Sequence, residues 1–213
     1  MTTLFQRIFR KRKAKKSSNQ NVFKYKAVAL THVGNIRKVN EDRVGFLDFH
    51  DVKGNTRIGA LGVVCDGMGG HNSGEIASQL AMDTIIRTFD VRAIDVIESM
   101  SKTLLKANNN VLSRANKSQS LRGMGTTASI IACVGKEIYL AHVGDSRIYF
   151  KRDGRMEQLT KDHSYVEYLI ENGMISENEK RTHPKRNVLV QALGTKEELK
   201  FDCFKVNKLI EIG

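Results

Sequence analysis

From Phe23 the residues FKYKAVALTHV alternate between polar and apolar and then turn apolar, a pattern that predicts a strand. RIGALGVVCD, Arg57 to Asp66, is almost continuously apolar and predicts a largely buried strand. The period then changes. In SGEIASQLAMDTIIRTF, Ile76, Leu80, Ile85 and Phe89 share a stripe with Ala77, Ala81 and Thr84, as one face of a helix would. Ser73 is placed to cap that helix. A second helix is predicted from Ile94 to Ala115, with Ile97, Leu104, Leu105, Val111 and Leu112 among its buried positions. After it, GMGTTASIIACVGKEIYLAHVGDSRIYFKRDGRMEQLT breaks into short strands separated by turns at 134–137, 144–146 and 152–154. Such close spacing predicts antiparallel pairing. A shorter helix from about Ser164 to Asn172 and a polar segment to Asn187 complete the pattern. Strands, then two helices, then strands predict an α+β fold with segregated layers, and no internal repeat interrupts it.

Composition narrows the class. The chain has 213 residues, 40% of them hydrophobic, and a single proline, which suits one domain with a real core and excludes low-complexity sequence. No apolar run approaches the ~20 residues that cross a bilayer. Cys65, Cys133 and Cys203 are odd in number, far apart and set in apolar stretches, as reduced thiols of a cytoplasmic protein would be. The net charge of +12 is unevenly spread, with seven basic residues between Arg7 and Lys16 and no acid before Glu41. Residues 1–22 therefore read as a separate basic tail ahead of a domain over 23–213. Leu4, Phe5, Ile8 and Phe9 would share one helical face beside that cluster, so the tail reads either as a disordered terminus or as an arm for an acidic membrane surface. Aromatic residues are sparse and not interleaved with the basic ones, which argues against nucleic acid.

The candidate chemistry gathers where strands give way to turns. THVGNIRKVNEDR contributes Arg37, Glu41 and Asp42; CDGMGGH contributes Asp66; HVGDSR contributes Asp145; TKDHS contributes Asp162. After Asp66 the chain is nearly bare backbone, with four glycines in the next eight residues. Glycine permits close approach of backbone to a ligand, although a tight turn before a helix would use it equally. Oxygen donors of this kind suit Mg²⁺ or Mn²⁺ and not zinc. A cysteine-phosphatase arrangement is excluded, because the residues six beyond the three cysteines are His71, Tyr139 and Leu209, none of them arginine.

NIRKVNEDR, DGMGGH, GMGTTA, VGDSRIY, LTKDHS and HPKRNVLVQALG stand in the order found in bacterial PP2C-type (PPM) protein phosphatases, which the chain resembles from about Lys24 to Gly194. The resemblance implies a β-sandwich flanked by helix pairs, and metal-dependent hydrolysis of phosphoserine and phosphothreonine esters in proteins by a metal-bridged hydroxide. It implies two Mn²⁺ or Mg²⁺ ions, with a third held more weakly. By the same resemblance, Arg37 grips the substrate phosphate, a task that suits a planar guanidinium. Glu41 and Asp42 are similar to the acid pair that holds metal or its waters. Asp66 resembles the carboxylate shared by both ions, and Gly67 the residue whose carbonyl is a ligand. Asp145 resembles the residue linked to the third ion, while its GDSR turn also reads as a hairpin held by Asp and Ser hydrogen bonds. His71, Asp162 and His163 read as supporting groups. NGMISENEKRTHPKRN resembles a flap beside the active site, where His183 and Arg186 influence substrate binding. Phosphorylated proteins, set by an opposing Ser/Thr kinase, are the implied partners.

The family continues beyond ALG with strands that carry SDG and DN motifs, whose aspartates are direct metal ligands. Neither motif occurs before Gly213. A domain lacking its last strands is therefore expected, with weaker metal binding, and three origins compete: a fragment of a longer enzyme, a truncated gene product, or a pseudophosphatase that binds phosphoproteins without turnover.

Overall fold

The computed structural model describes residues 24–35, 37–49, 58–69 and 73–210. The expectations for the tail, including Leu4, Phe5, Ile8 and Phe9, and for His71 lie outside these residues.

A six-stranded antiparallel sheet organises the domain. Its order is β1 (Asp42–Asp48), β2 (Ala60–Met68), β4 (Ala128–Val134), β5 (Glu137–Val143) and β8 (Asp202–Leu209), with the short β3 (Gly125–Thr126) pairing the end of β2. The side chains alternate across it. Leu61, Val63 and Cys65 of β2, with Ala128 and Ile130 of β4 and Ala141 and Val143 of β5, face one core that two helices cover. These are α1 (Ser73–Thr88) and α2 (Val96–Ala115). The opposite face packs Ile138, Leu140 and Val206 against Ile148 and against Phe150 of the hairpin that follows it, β6 (Tyr149–Arg152) and β7 (Arg155–Gln158). The helix pair thus covers one side and, among the described residues, a smaller β layer covers the other.

α1 lies closer to the sheet than its large residues suggest. Gly74, Ala77, Ser78 and Ala81 are buried with Met82 and Ile85, while Ile76 is exposed. A stripe of small side chains lets the helix backbone approach β2, so the predicted Ile76 contact is displaced outward. α2 begins two residues later than expected because Asp95 caps it, its carboxylate accepting from the Glu98 N–H at 2.9 Å. That start buries Val96, Met100, Leu104, Ala107 and Val111 in one row and leaves Leu105 exposed, contrary to expectation.

Two other expectations are corrected. Lys24 to Val33 forms no strand, and Val28 and Leu30 are almost fully exposed. Alternation alone does not hold a strand without a partner ladder, and this segment is tied down through the Tyr25 hydroxyl, which donates to the Gly135 carbonyl at 2.7 Å. β2 also continues past Asp66 to Met68, because Gly67 and Met68 pair with Thr126 and Gly125. Asp66 therefore projects from within a paired strand, which holds it more rigidly than a strand end would.

Candidate metal and phosphate site

Asp42 opens β1 and lies directly opposite Asp66 of β2 in the antiparallel register. Like charges in that relation repel. The Asp66 carboxyl is accordingly pushed up to about 6, first by burial, then by the charge of Asp42 and a side-chain hydrogen bond to it, and further by Asp145. Arg37 acts in the opposite direction. The structure thus brings Asp42, Asp145 and Arg37 within electrostatic range of Asp66.

The backbone around Asp66 is pinned on both sides. Its N–H donates to Thr127 Oγ1 at 3.0 Å, and its carbonyl accepts from the Thr127 N–H and from Thr126 Oγ1, each at 2.9 Å. The Gly67 N–H donates to the Glu41 carbonyl at 3.1 Å, and Ser78 Oγ donates to the same carbonyl at 2.6 Å. A Cβ on Gly67 would sit 2.1 Å from the Gly74 carbonyl oxygen and 2.8 Å from that of Glu41, so only glycine fits there. Glu41 itself lies against Gly74 at the start of α1, with its side chain 13% exposed and an ion pair to Arg37 at 3.3 Å. The helix N-terminus favours a carboxylate in that position.

Asp145 follows β5 on a turn that turns sharply at Gly144, whose φ is 110° and whose missing side chain would collide with Thr127. Burial raises the Asp145 carboxyl while Arg147 lowers it. His163 supports this turn: its N–H donates to the Gly144 carbonyl at 2.7 Å, and Gly144 N–H donates back to His163 Nδ1 at 3.3 Å. Asp145, Arg147 and Arg186 are among the residues that line a cavity of about 950 Å³. His183 does not line this cavity; it lies against Tyr165, with ring centroids 6.1 Å apart. The two predicted flap residues share one turn, in which the Arg186 N–H donates to the His183 carbonyl at 3.1 Å. The helix predicted from Ser164 is α3 (Tyr165–Glu171), capped by Ser164, and the polar segment after it contains a further short helix, α4 (Glu177–Lys180).

Two features escaped the sequence. Arg147 grips Asp162 through two hydrogen bonds of 2.8 and 2.6 Å, and Thr127 Oγ1 and Ser146 Oγ, 2.7 Å apart, join the Asp66 strand to the Asp145 turn. The available signal was the opposite charge of GDSR and TKDHS, which spacing alone could not pair. Among the described residues no three His, Cys, Asp or Glu side chains form a ready-made metal cage. The donors are two facing carboxylates and nearby backbone, a hard-oxygen set that suits Mg²⁺ or Mn²⁺ with water in the remaining positions.

Residues 26–167 match the family model described as protein phosphatase 2C. The serine/threonine phosphatase stp of Listeria innocua is 35% identical over 181 residues, which cover 83% of this chain and 69% of that protein. The crystal structure of the Mycobacterium tuberculosis serine/threonine phosphatase PstP/Ppp is similar with a TM-score of 0.71 and 32% identity, over 83% of this chain and 70% of that one. A PstP catalytic domain solved in complex with two manganese ions superposes with a TM-score of 0.66 and 30% identity, over 83% and 70% of the two chains. The chain belongs to the protein phosphatase 2C family and is an enzyme of that type.

Proposed function

We propose that this chain hydrolyses phosphoserine and phosphothreonine esters in proteins, using divalent metal held by Asp42, Asp66 and the Gly67 carbonyl. The observation that carries this reading is the directly opposed Asp42–Asp66 pair, in which burial first and the charge of Asp42 second push the Asp66 carboxyl up to about 6 beside Arg37. Such a pair is poorly satisfied by itself and well satisfied by a dication. Bound Mg²⁺ or Mn²⁺ would supply an acidified water for attack on phosphorus and would neutralise charge on the phosphoryl oxygens. Glu41 steadies Arg37, and Arg37 presents its guanidinium to two phosphate oxygens. Asp145 supports a further, weaker ion, and Arg186 meets the substrate in the cavity. Phosphoproteins set by a Ser/Thr kinase are the substrates.

The test is hydrolysis of a phosphothreonine peptide with Mn²⁺ and with chelator. Activity is expected only with metal, and Asp66→Asn should lower kcat/KM by about 100-fold or more. Metal-independent turnover, or full activity of Asp66→Asn, would remove the site. Tight peptide binding without hydrolysis would replace the enzyme by a binding module.

A further inference from the structure

Residues 177–187 share the lining of the large cavity with Asp145, and beyond α4 they rest on Tyr165 through His183 and Lys185. α4 buries no residue. Its capping box, in which Ser176 and Glu179 bond reciprocally, secures the first turn but does not say where that turn sits. Its last residue does. Lys180 Nζ lies 2.5 Å from Glu167 Oε2 and 3.9 Å from Asp162 Oδ2. Both carboxylates are nearly enclosed, with side chains 12% and 7% exposed. Asp162 is also the partner of Arg147, two residues beyond Asp145. Glu167 belongs to α3 and has Lys161 at 3.7 Å on its other oxygen. Lys180 therefore closes a chain of ion pairs that runs from the Asp145 turn and α3 to the flap. Pairs between exposed side chains contribute little; without Lys180 the enclosed Glu167 keeps the more distant Lys161, at 3.7 Å, and Asp162 keeps Arg147, so what is lost is the tie to the flap.

We propose that Lys180 is a positioning residue: its grip on Glu167 and Asp162 sets the pose of residues 177–187 over the cavity, and that pose selects phosphorylated polypeptide over small phosphate esters. The cavity supplies the reason. Asp145 and Arg147 line it together with Lys180, Arg181 and Arg186 of this segment, and its volume is about 950 Å³. A phosphorylated polypeptide has flanking chain to lay against the segment, and a small aryl phosphate has none. The selection of substrate rests on the phosphatase reading above; the placement of the flap by Lys180 does not.

The experiment compares the full chain with Lys180→Met, which removes the charge and keeps the stem, and with Lys180→Arg. Amide hydrogen exchange reads the segment directly, and kinetics with Mn²⁺ are measured on a phosphothreonine peptide and on p-nitrophenyl phosphate. In Lys180→Met, exchange over 177–187 should rise about tenfold while β2 stays protected. KM for the peptide should rise about fivefold, with its kcat and both parameters for the small ester within about twofold, and Lys180→Arg should restore it. Unchanged exchange overturns the proposal, as does an equal loss on both substrates. A wild-type chain that hydrolyses neither substrate refutes the phosphatase reading instead. Peptide-binding isotherms then decide the proposal: weakened binding by Lys180→Met together with faster exchange supports it, and unaltered binding overturns it.

Discussion

Asp66 is held in a position that a lone carboxylate would avoid. Its folded pKa of about 6 lies above the ordinary 3.8, chiefly through burial and then through Asp42. A raised carboxylate pKa means that the folded protein binds the proton more tightly than the unfolded chain does. The associated stability is fully present below about pH 3.8 and is lost as pH rises through about 6. Above that range the metal-free protein carries a repulsion that Asp66→Asn relieves. With chelator near pH 7, Asp66→Asn should therefore be more stable than wild type by about 1 kcal/mol, a figure discounted for solvent screening of a partly exposed group. The gap should close below about pH 4. Thermal unfolding across pH checks this, and an Asp66→Asn protein less stable than wild type at neutral pH would contradict it. The identity of Asp66, Asp42, Arg37 and Asp145 as a candidate group was legible in the sequence, because each acid or arginine stands in a recognisable motif. Their mutual geometry was not. Direct opposition of Asp42 and Asp66 depends on strand register, and register is a tertiary property.

At the scale of elements, the closeness of α1 to β2 does for the site what hydrophobic periodicity could not reveal. Ile76 looked like a core residue and is exposed, since Gly74, Ala77 and Ala81 turn a small-residue stripe inward. The result is backbone contact between Gly67 and Gly74, with Glu41 wedged beside them. Gly67→Ala would place a methyl 2.1 Å from a carbonyl oxygen that belongs to the helix backbone. It should destabilise the fold by about 3 kcal/mol, or roughly 10 °C in Tm for a domain of this size. Gly62→Ala on the same strand meets nothing within 4 Å and should shift Tm by no more than about 1 °C. Equal effects of the two substitutions would show that the close approach does not exist. The strand expected over Phe23 to Val33 failed for a complementary reason: alternation predicts a face, but a strand also needs a neighbour's backbone. α4 was invisible because a short helix with no buried residue leaves no apolar signal; its capping pair Ser176 and Glu179 was the trace available.

Across the whole molecule, one sheet carries the Asp42–Asp66 pair on β1 and β2, and the Asp145 turn follows β5. His142 and His163 lie beside that turn. His142 is fully buried on β5, stays neutral because burial pushes its pKa down to about 4, and pairs through Nδ1 with Ser129 Oγ at 2.9 Å. Its ring lies 5.0 Å from that of His163, which supports the Asp145 turn and contacts Asp202 of β8 at 3.2 Å. The Ser129–His142 pair, the His142–His163 ring contact and the His163–Asp202 pair therefore form a polar seam from β4 across β5 to β8, while the apolar faces on either side supply the bulk of the stability. The order of strands and helices exposed this α+β plan in the sequence. The smaller second layer and the seam depend on which strands become neighbours, and no local pattern reports that. The account as a whole stands on the Asp42–Asp66 pair as the seat of a divalent ion. Calorimetric titration of Mn²⁺ into the wild-type chain and Asp66→Asn near pH 6 tests this most directly. Wild type should take up metal with release of protons, because Asp66 is then partly protonated, and Asp66→Asn should lose that uptake. Equal uptake by the two proteins, or none by a folded wild type, would contradict it.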